Sequence, residues 1–212
     1  MKPNAYCINL DKHRENYDCV CEKFSKYLNL NRVSAVDAKE HGISGQKALC
    51  RSNELIFNRN NSEPYVIILE DDVIPTEHFD AHWDDIVSFI TDSNNVDKWD
   101  FISLDFLLNY DNPHLYNYND IFYKTTKSRT TGFMIYNTRF IVQNLKYFQK
   151  MNCIDMTMTH NDKFIKLIPK QLLVTQLPHT STIMNKHTDY TSSYKRTQDY
   201  MDTYFLQDIQ KN

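Results

Sequence analysis

One segment constrains the fold of this chain more than any other. Tyr65-Val66-Ile67-Ile68-Leu69 is five consecutive apolar residues, rich in β-formers, opened by Pro64 and running straight into Glu70-Asp71-Asp72. A strand with one wet face alternates apolar and polar residues, whereas an unbroken apolar run needs cover on both faces. The run therefore predicts a central strand with helices on each side. Ala5–Leu10 reads as an earlier strand, with Asp11 as the cap of a helix bearing Tyr17, Val20, Cys21, Phe24, Tyr27 and Leu28 at three- and four-residue steps. Arg32–Val36 reads as a second strand. Ser44 caps a helix with an apolar face of Ala48, Leu49, Ser52, Leu55, Ile56 and Arg59, broken by Asn60-Asn61-Ser62.

Beyond the central run, Phe79, Trp83, Ile86, Val87 and Ile90 line one face of a helix. Asp100–Leu104 is a strand ending at Asp105, and Leu107–Asn119 a long loop. Strands follow at Ile121–Thr126 and Gly132–Tyr136. Thr138 caps a helix reaching about Lys150, and a further helix lies near Asp155–Ile165, then a strand near Leu172–Thr175. The alternation predicts a three-layer α/β domain with a largely parallel central sheet. With no repeat and no linker, residues 1–212 read as a single domain. Its core runs over about 3–190. A tail helix over about 197–210 docks through Met201, Tyr204, Phe205 and Ile209 and carries no catalytic group.

Composition excludes several classes. The 212 residues carry a net charge of −3 and a pI of about 6.2, which gives no electrostatic case for nucleic acid or an anionic membrane. The apolar runs are too short to span a bilayer, and the opening residues lack the apolar stretch of a signal peptide. Five cysteines, with no Cys-x-x-Cys, read as reduced thiols, so a cytoplasmic location is expected. Three glycines, Gly42, Gly45 and Gly132, cannot write a dinucleotide-binding fingerprint or a P-loop.

Glu70-Asp71-Asp72 carries the chemistry. Ligands of open α/β sheets bind at the carboxyl ends of strands, and three carboxylates in a row repel one another. On an extended chain Glu70 and Asp72 point the same way and make a site for Mg²⁺ or Mn²⁺, hard cations that also bind phosphates. Asp71 then faces elsewhere, toward a ribose hydroxyl. Taken alone, the triplet fits a solvated turn opening a helix equally well. His160, His179 and His187 lie outside any metal-binding spacing.

The order of motifs resembles glycosyltransferase family 25, the lipopolysaccharide glycosyltransferases and collagen galactosyltransferases. Tyr6-Cys7-Ile8-Asn9-Leu10-Asp11 with Arg14 is similar to the family's opening Ile-Asn-Leu-Asp-x-x-x-Arg, and Val36-Asp37-Ala38 follows. Ile43-Ser44-Gly45-Gln46-Lys47-Ala48-Leu49-Cys50-Arg51-Ser52 resembles its next helix. Ile68-Leu69-Glu70-Asp71-Asp72-Val73 resembles its most characteristic motif. Trp99–Leu104, Thr131–Tyr136, Ile154-Asp155, Pro169, Gln176 and Ser181-Thr182-Ile183 continue the pattern, over about residues 3–185. Asn53, Lys47, Ala48 and Asn137 depart from it.

The resemblance implies a GT-A-like nucleotide-sugar-binding fold. It implies metal-dependent transfer of a sugar from a nucleotide-diphosphate sugar, a UDP-sugar foremost, to a hydroxyl of a glycan or glycoprotein, with inversion. Glu70 and Asp72 would hold Mn²⁺ or Mg²⁺. Asn9, Arg14, Asp37 and Asp71 would meet the nucleotide sugar. Asp155 would be the base, with Asp105 and Asp162 next in line. The alternative is a catalytically inactive sugar- or partner-binding domain; a metal-dependent nuclease is a weaker third reading.

Overall fold

The computed structural model describes residues 2–59, 64–108, 114–155, 163–181 and 186–209. It is a three-layer α/β structure around one eight-stranded sheet. The chain runs β1 (Asn4–Asn9), α1 (Arg14–Phe24), β2 (Asn29–Ser34), α2 (Gly45–Phe57), β3 (Tyr65–Glu70), β4 (Val73–Pro75), α3 (Phe79–Thr91) and β5 (Phe101–Ser103). Then come β6 (Leu107–Leu108), β7 (Leu115–Asn117), β8 (Phe122–Thr125), β9 (Ser128–Arg129), β10 (Phe133–Asn137) and α4 (Thr138–Phe148). The last elements are β11 (Lys166–Pro169), β12 (Val174–Gln176), β13 (His179–Ser181), β14 (Lys186–Thr188) and α5 (Thr191–Ile209).

The main sheet has the order β2-β1-β3-β10-β5-β11-β8-β7. As the apolar run predicts, β3 is central, between β1 and β10, with Val66–Leu69 buried. Burying each such side chain contributes about 1.5–3 kcal/mol. Ile67 and Leu69 face a core built with Val20 and Phe24 of α1 and Phe79, Trp83, Ile86 and Ile90 of α3. Val66 and Ile68 face Ile56 and Phe57 of α2 and Phe140, Ile141 and Phe148 of α4. Alternation along β3 thus feeds two opposite helical layers, the physical basis of the three-layer fold.

The sheet is mixed where a largely parallel one was expected. β1 pairs β2 and β3 in parallel, and β5 pairs β11 in parallel, but β10 runs antiparallel to both β3 and β5. β8 is antiparallel to β11 and β7. Apolar runs such as Phe133–Tyr136 look the same in either direction, so composition could not set strand polarity.

Several local expectations shift. Asp11 makes no capping bond; it accepts from Arg32 Nη2 at 2.5 Å and Ser34 Oγ at 2.7 Å, clasping β2 to β1. Ser44 does cap α2, accepting from Lys47 N at 3.2 Å, but Leu55 is exposed and Asn53 is buried in its place. Asn137, not Thr138, caps α4 through Arg139 N at 3.0 Å. The 107–119 segment contains the short strands β6 and β7. The expected helix after Asp155 falls largely outside the described residues, as do Asn60-Asn61-Ser62. The tail helix begins at Thr191, and Met201 is fully buried against Tyr123, Ile168 and Leu172. Among the described residues no helix is long and apolar enough to cross a membrane.

Candidate functional site

Strand polarity builds the site. Because β10 runs antiparallel between β3 and β5, the residues entering β10 arrive at the same edge as those leaving β3 and β5. Glu70 ends β3, the chain turns through Asp71 and Asp72 into β4, and Asp105 follows β5. Thr130, Thr131 and Gly132 enter opposite them. Glu70 N donates to Gly132 O at 2.8 Å, and Thr131 Oγ1 donates to Glu70 Oε1 at 2.9 Å. Thr130 N donates to Asp155 Oδ1 at 3.1 Å, and Thr130 Oγ1 to Asp105 O at 2.8 Å.

The short segment 130–132 therefore holds Glu70, Asp105 and Asp155. It does so under strain, because Thr130 has φ +80°. A β-branched residue in that region costs about 1–3 kcal/mol and persists only where its surroundings fix it. Gly132 is required by close approach. A Cβ there would lie 2.4 Å from Asp105 Oδ2 and 2.8 Å from Gln176 Nε2.

Asp105 is fully buried. Gly132 N donates to its Oδ2 at 3.1 Å, and Tyr194 Oη, from the first turn of α5, donates to its Oδ1 at 2.5 Å. Burial nevertheless outweighs these donors and pushes the Asp105 carboxyl up to about 7, with the Glu70 charge adding to it. Glu70 is raised well above the carboxylate range by burial first and then by Asp72, with Asp71 and Asp155 adding to it. Asp72 is raised by burial, then by Asp71 and Asp105. Lys166 is a buried cation beside them. Its Nζ donates to Ser128 O at 2.9 Å, and burial draws its amine down to about 8 against the pull of Asp155 and Asp105. Tyr190, just before α5, has its hydroxyl raised by burial and then by Asp155, Asp105, Asp72 and Glu70.

The structure thus brings Glu70, Asp72 and Asp155 to one acidic cluster. Asp71 faces elsewhere, as expected, but its Oδ2 accepts from Asn9 Nδ2 at 2.6 Å. Asn9 is buried, and its Oδ1 accepts from Arg32 Nε at 2.7 Å, so this amide locks Asp71 to β1. Asp37 pairs with Lys12 Nζ at 2.6 Å and accepts from Lys39 N at 2.8 Å. That lysine, the larger cause, and the backbone donor hold its carboxyl below the usual range. Arg14 is exposed at the start of α1. All four lie along the carboxyl ends of β1, β2 and β3.

Sequence reasoning missed Lys166, Tyr190, Tyr194 and the 130–132 segment, and ranked Asp105 only as a reserve. One signal was present: Lys166 is a lone charge inside the apolar run Ile165–Ile168. The tail helix starts earlier than the expected 197, at Thr191, and that extra turn carries Tyr194 to Asp105.

The donor set suits a hard divalent cation in one respect: it is all carboxylate oxygen. Among the described residues, no three His, Cys, Asp or Glu side chains converge as a metal group. A site of one or two carboxylates completed by substrate phosphates is the usual Mg²⁺ arrangement.

No family model matches the sequence, and no curated protein matches it. Among solved structures, the crystal structure of A197 from STIV is similar over 79% of this chain and 81% of that one, at 9% identity and a TM-score of 0.43.

Proposed function

We propose that the chain is a metal-dependent glycosyltransferase, moving a sugar from a nucleotide-diphosphate sugar, a UDP-sugar foremost, to a hydroxyl of a glycan or glycoprotein. One observation carries this reading. Four acidic side chains from separate elements, Glu70, Asp72, Asp105 and Asp155, gather where strands β3 and β5 end and β10 begins. Carboxyls crowded and buried in this way hold on to their protons, and a divalent cation that displaces those protons relieves both the burial and the mutual repulsion.

Glu70 and Asp72 would hold Mn²⁺ or Mg²⁺. The cation, when bound, supplies electrostatic stabilisation to a leaving diphosphate. Asn9 fixes Asp71, while Arg14 and Asp37 offer a charge of each sign along the nucleotide side. Asp155 takes the proton of the acceptor hydroxyl, whose oxygen attacks the anomeric carbon as the nucleoside diphosphate departs. Thr130 N donates to Oδ1 of Asp155 and fixes how its carboxylate is presented. An in-line attack of this kind inverts the anomeric centre. A cytoplasmic location belongs to the same proposal.

The test is a panel of nucleotide sugars with and without Mn²⁺, read by thermal stabilisation and by donor hydrolysis. A ligand at 100 times its dissociation constant adds about 2.7 kcal/mol. Asp72→Ala should abolish the Mn²⁺-dependent shift with the fold intact. Asp155→Asn keeps an oxygen for Thr130 N and should keep the shift, while losing about 10²–10⁴-fold in turnover. If no nucleotide sugar stabilises the protein, or if Asp72→Ala binds donor as the parent does, the reading fails. Binding without turnover on any acceptor leaves the non-catalytic sugar-binding domain.

A further inference from the structure

An open pocket of about 630 Å³ lies apart from the acidic cluster. Its walls are the start of α3, with His78 and His82, the β7–β8 turn, with Asp120, the β11–β12 turn, with Lys170 and Gln171, and the middle of α5. Every lining side chain is polar or charged. We infer that it is a second saccharide subsite, which seats a neutral part of the glycan remote from the transferred hydroxyl. Its role in transfer rests on the glycosyltransferase reading; its ligand chemistry does not.

Three features select that ligand. Carboxylates from Glu77, Asp120 and Asp202 face one lysine, so at neutral pH the pocket repels phosphates and other anions. Its apolar surface is supplied by the imidazole rings of His78 and His82 and by the stems of polar side chains, each ending in a polar group, which suits a ligand with both CH faces and hydroxyls better than a wholly apolar one. Lys170, with its Nζ 5.1 Å from the Tyr123 ring, gives the lining both signs of charge and a donor beside the acceptors. What remains is a neutral molecule rich in hydroxyls, each able to donate and accept.

The pocket is also partly pre-arranged. Gln198 Nε2 donates to Gln171 Oε1 at 2.9 Å and to Asp202 Oδ1 at 2.7 Å, and its Oε1 accepts from Leu172 N at 3.3 Å. This amide ties α5 to the β11–β12 turn and fixes the orientation of two lining groups. Among the described residues, the Gln171 NH₂, the second Asp202 oxygen, the Asp120 carboxylate and the His82 ring have no protein partner. They are unspent donors and acceptors around one cavity, which is what a polyol needs, because order is supplied before binding.

The pocket is linked to the acidic cluster by α5. Tyr194, Gln198 and Asp202 recur at four-residue steps and share one helix face. Tyr194 reaches Asp105, while Asp202 lines the pocket about 12 Å further along at 1.5 Å per residue.

The experiment uses the full chain against an array of neutral oligosaccharides and the same glycans carrying sulfate or sialic acid. The best neutral glycan is then titrated by calorimetry. A neutral oligosaccharide should bind with a dissociation constant of about 1 mM or tighter, and the acidic versions should be rejected. His82→Ala combined with Asp202→Ala should weaken binding about tenfold or more, with Mn²⁺-dependent nucleotide-sugar binding unchanged. Gln171→Ala, which leaves Gln198 its other two partners, checks the result should the double variant be unstable. The inference is overturned if no neutral glycan binds, or if both variants bind as the parent does. It is equally overturned if Asp72→Ala, and not the pocket variants, removes the binding. Glycan binding at the pocket without any nucleotide-sugar binding would sink the glycosyltransferase reading and leave the subsite standing.

Discussion

At Gly132 the structure makes a demand that no other residue meets. The missing side chain lets Asp105 Oδ2 come within 3.1 Å of the Gly132 amide, and Gln176 and Val73 close the remaining space. Gly132→Ala should therefore cost about 1–3 kcal/mol in denaturant unfolding, the range for overpacking a filled interior. An unchanged midpoint would mean that Asp105 or Gln176 moves aside freely. The glycine was visible in the sequence as one of only three, and its place before an apolar strand was legible. Its reason was not, because that reason is a carboxylate 27 residues away. The same holds for Thr130: no sequence rule puts a β-branched residue at φ +80°, and only its bonds to Asp105 and Asp155 explain it. By contrast Glu70-Asp71-Asp72 announced itself, since contiguous carboxylates at the end of an apolar run are a local pattern. The bond that holds Asp71 comes from Asn9, 62 residues earlier, and no local pattern announces it.

Elements were legible where their periodicity was strong and their partners did not matter. The apolar run of β3 and the helical spacing of α3 are properties of single segments, and both stand. Polarity in the sheet and the position of α5 depend on contacts between segments, and both departed from expectation. α5 is the consequential case. Its buried Met201 anchors the helix as the apolar spacing foretold, but its first turn inserts Tyr194 beside Asp105. The first turn of α5 is thus tied to the acidic cluster. Tyr194→Phe should cost about 1.5–3 kcal/mol, the worth of a hydrogen bond to a charged group. The same change removes the donor nearest Asp105 Oδ1, so burial is left less opposed and the Asp105 carboxyl should rise further above about 7. Both are measurable, the first by denaturant unfolding and the second by carboxyl chemical shifts across pH. A stability loss with an unmoved Asp105 titration would reduce Tyr194 to a packing residue.

For the whole molecule, the buried charges fix how stability responds to pH. Asp105 titrates near 3.8 when unfolded and about 7 when folded. Between those values the folded chain keeps a proton that the unfolded chain has released, so stability falls as pH rises. The full shift corresponds to at most about 4 kcal/mol. Glu70 and Asp72, raised for the same reason, steepen this fall. Lys166 acts with the opposite slope. Its amine titrates near 10.5 when unfolded and about 8 when folded. In that window the unfolded chain holds the extra proton, and stability rises with pH. The cation-free protein should therefore show a stability minimum between about pH 7 and 8, where most domains are near their best. Urea unfolding at intervals from pH 4 to 10, in buffer stripped of divalent cations, reads this directly. Asp105→Asn should flatten the acid-side fall, with its amide oxygen accepting from Gly132 N and its NH₂ turned to Tyr194 Oη, which can accept as well as donate. Lys166→Met should flatten the alkaline rise. A parent curve that climbs steadily from pH 4 to 8 would mean that these carboxylates are solvated in the folded chain, and the acidic cluster would lose its physical basis as a site built to receive a cation.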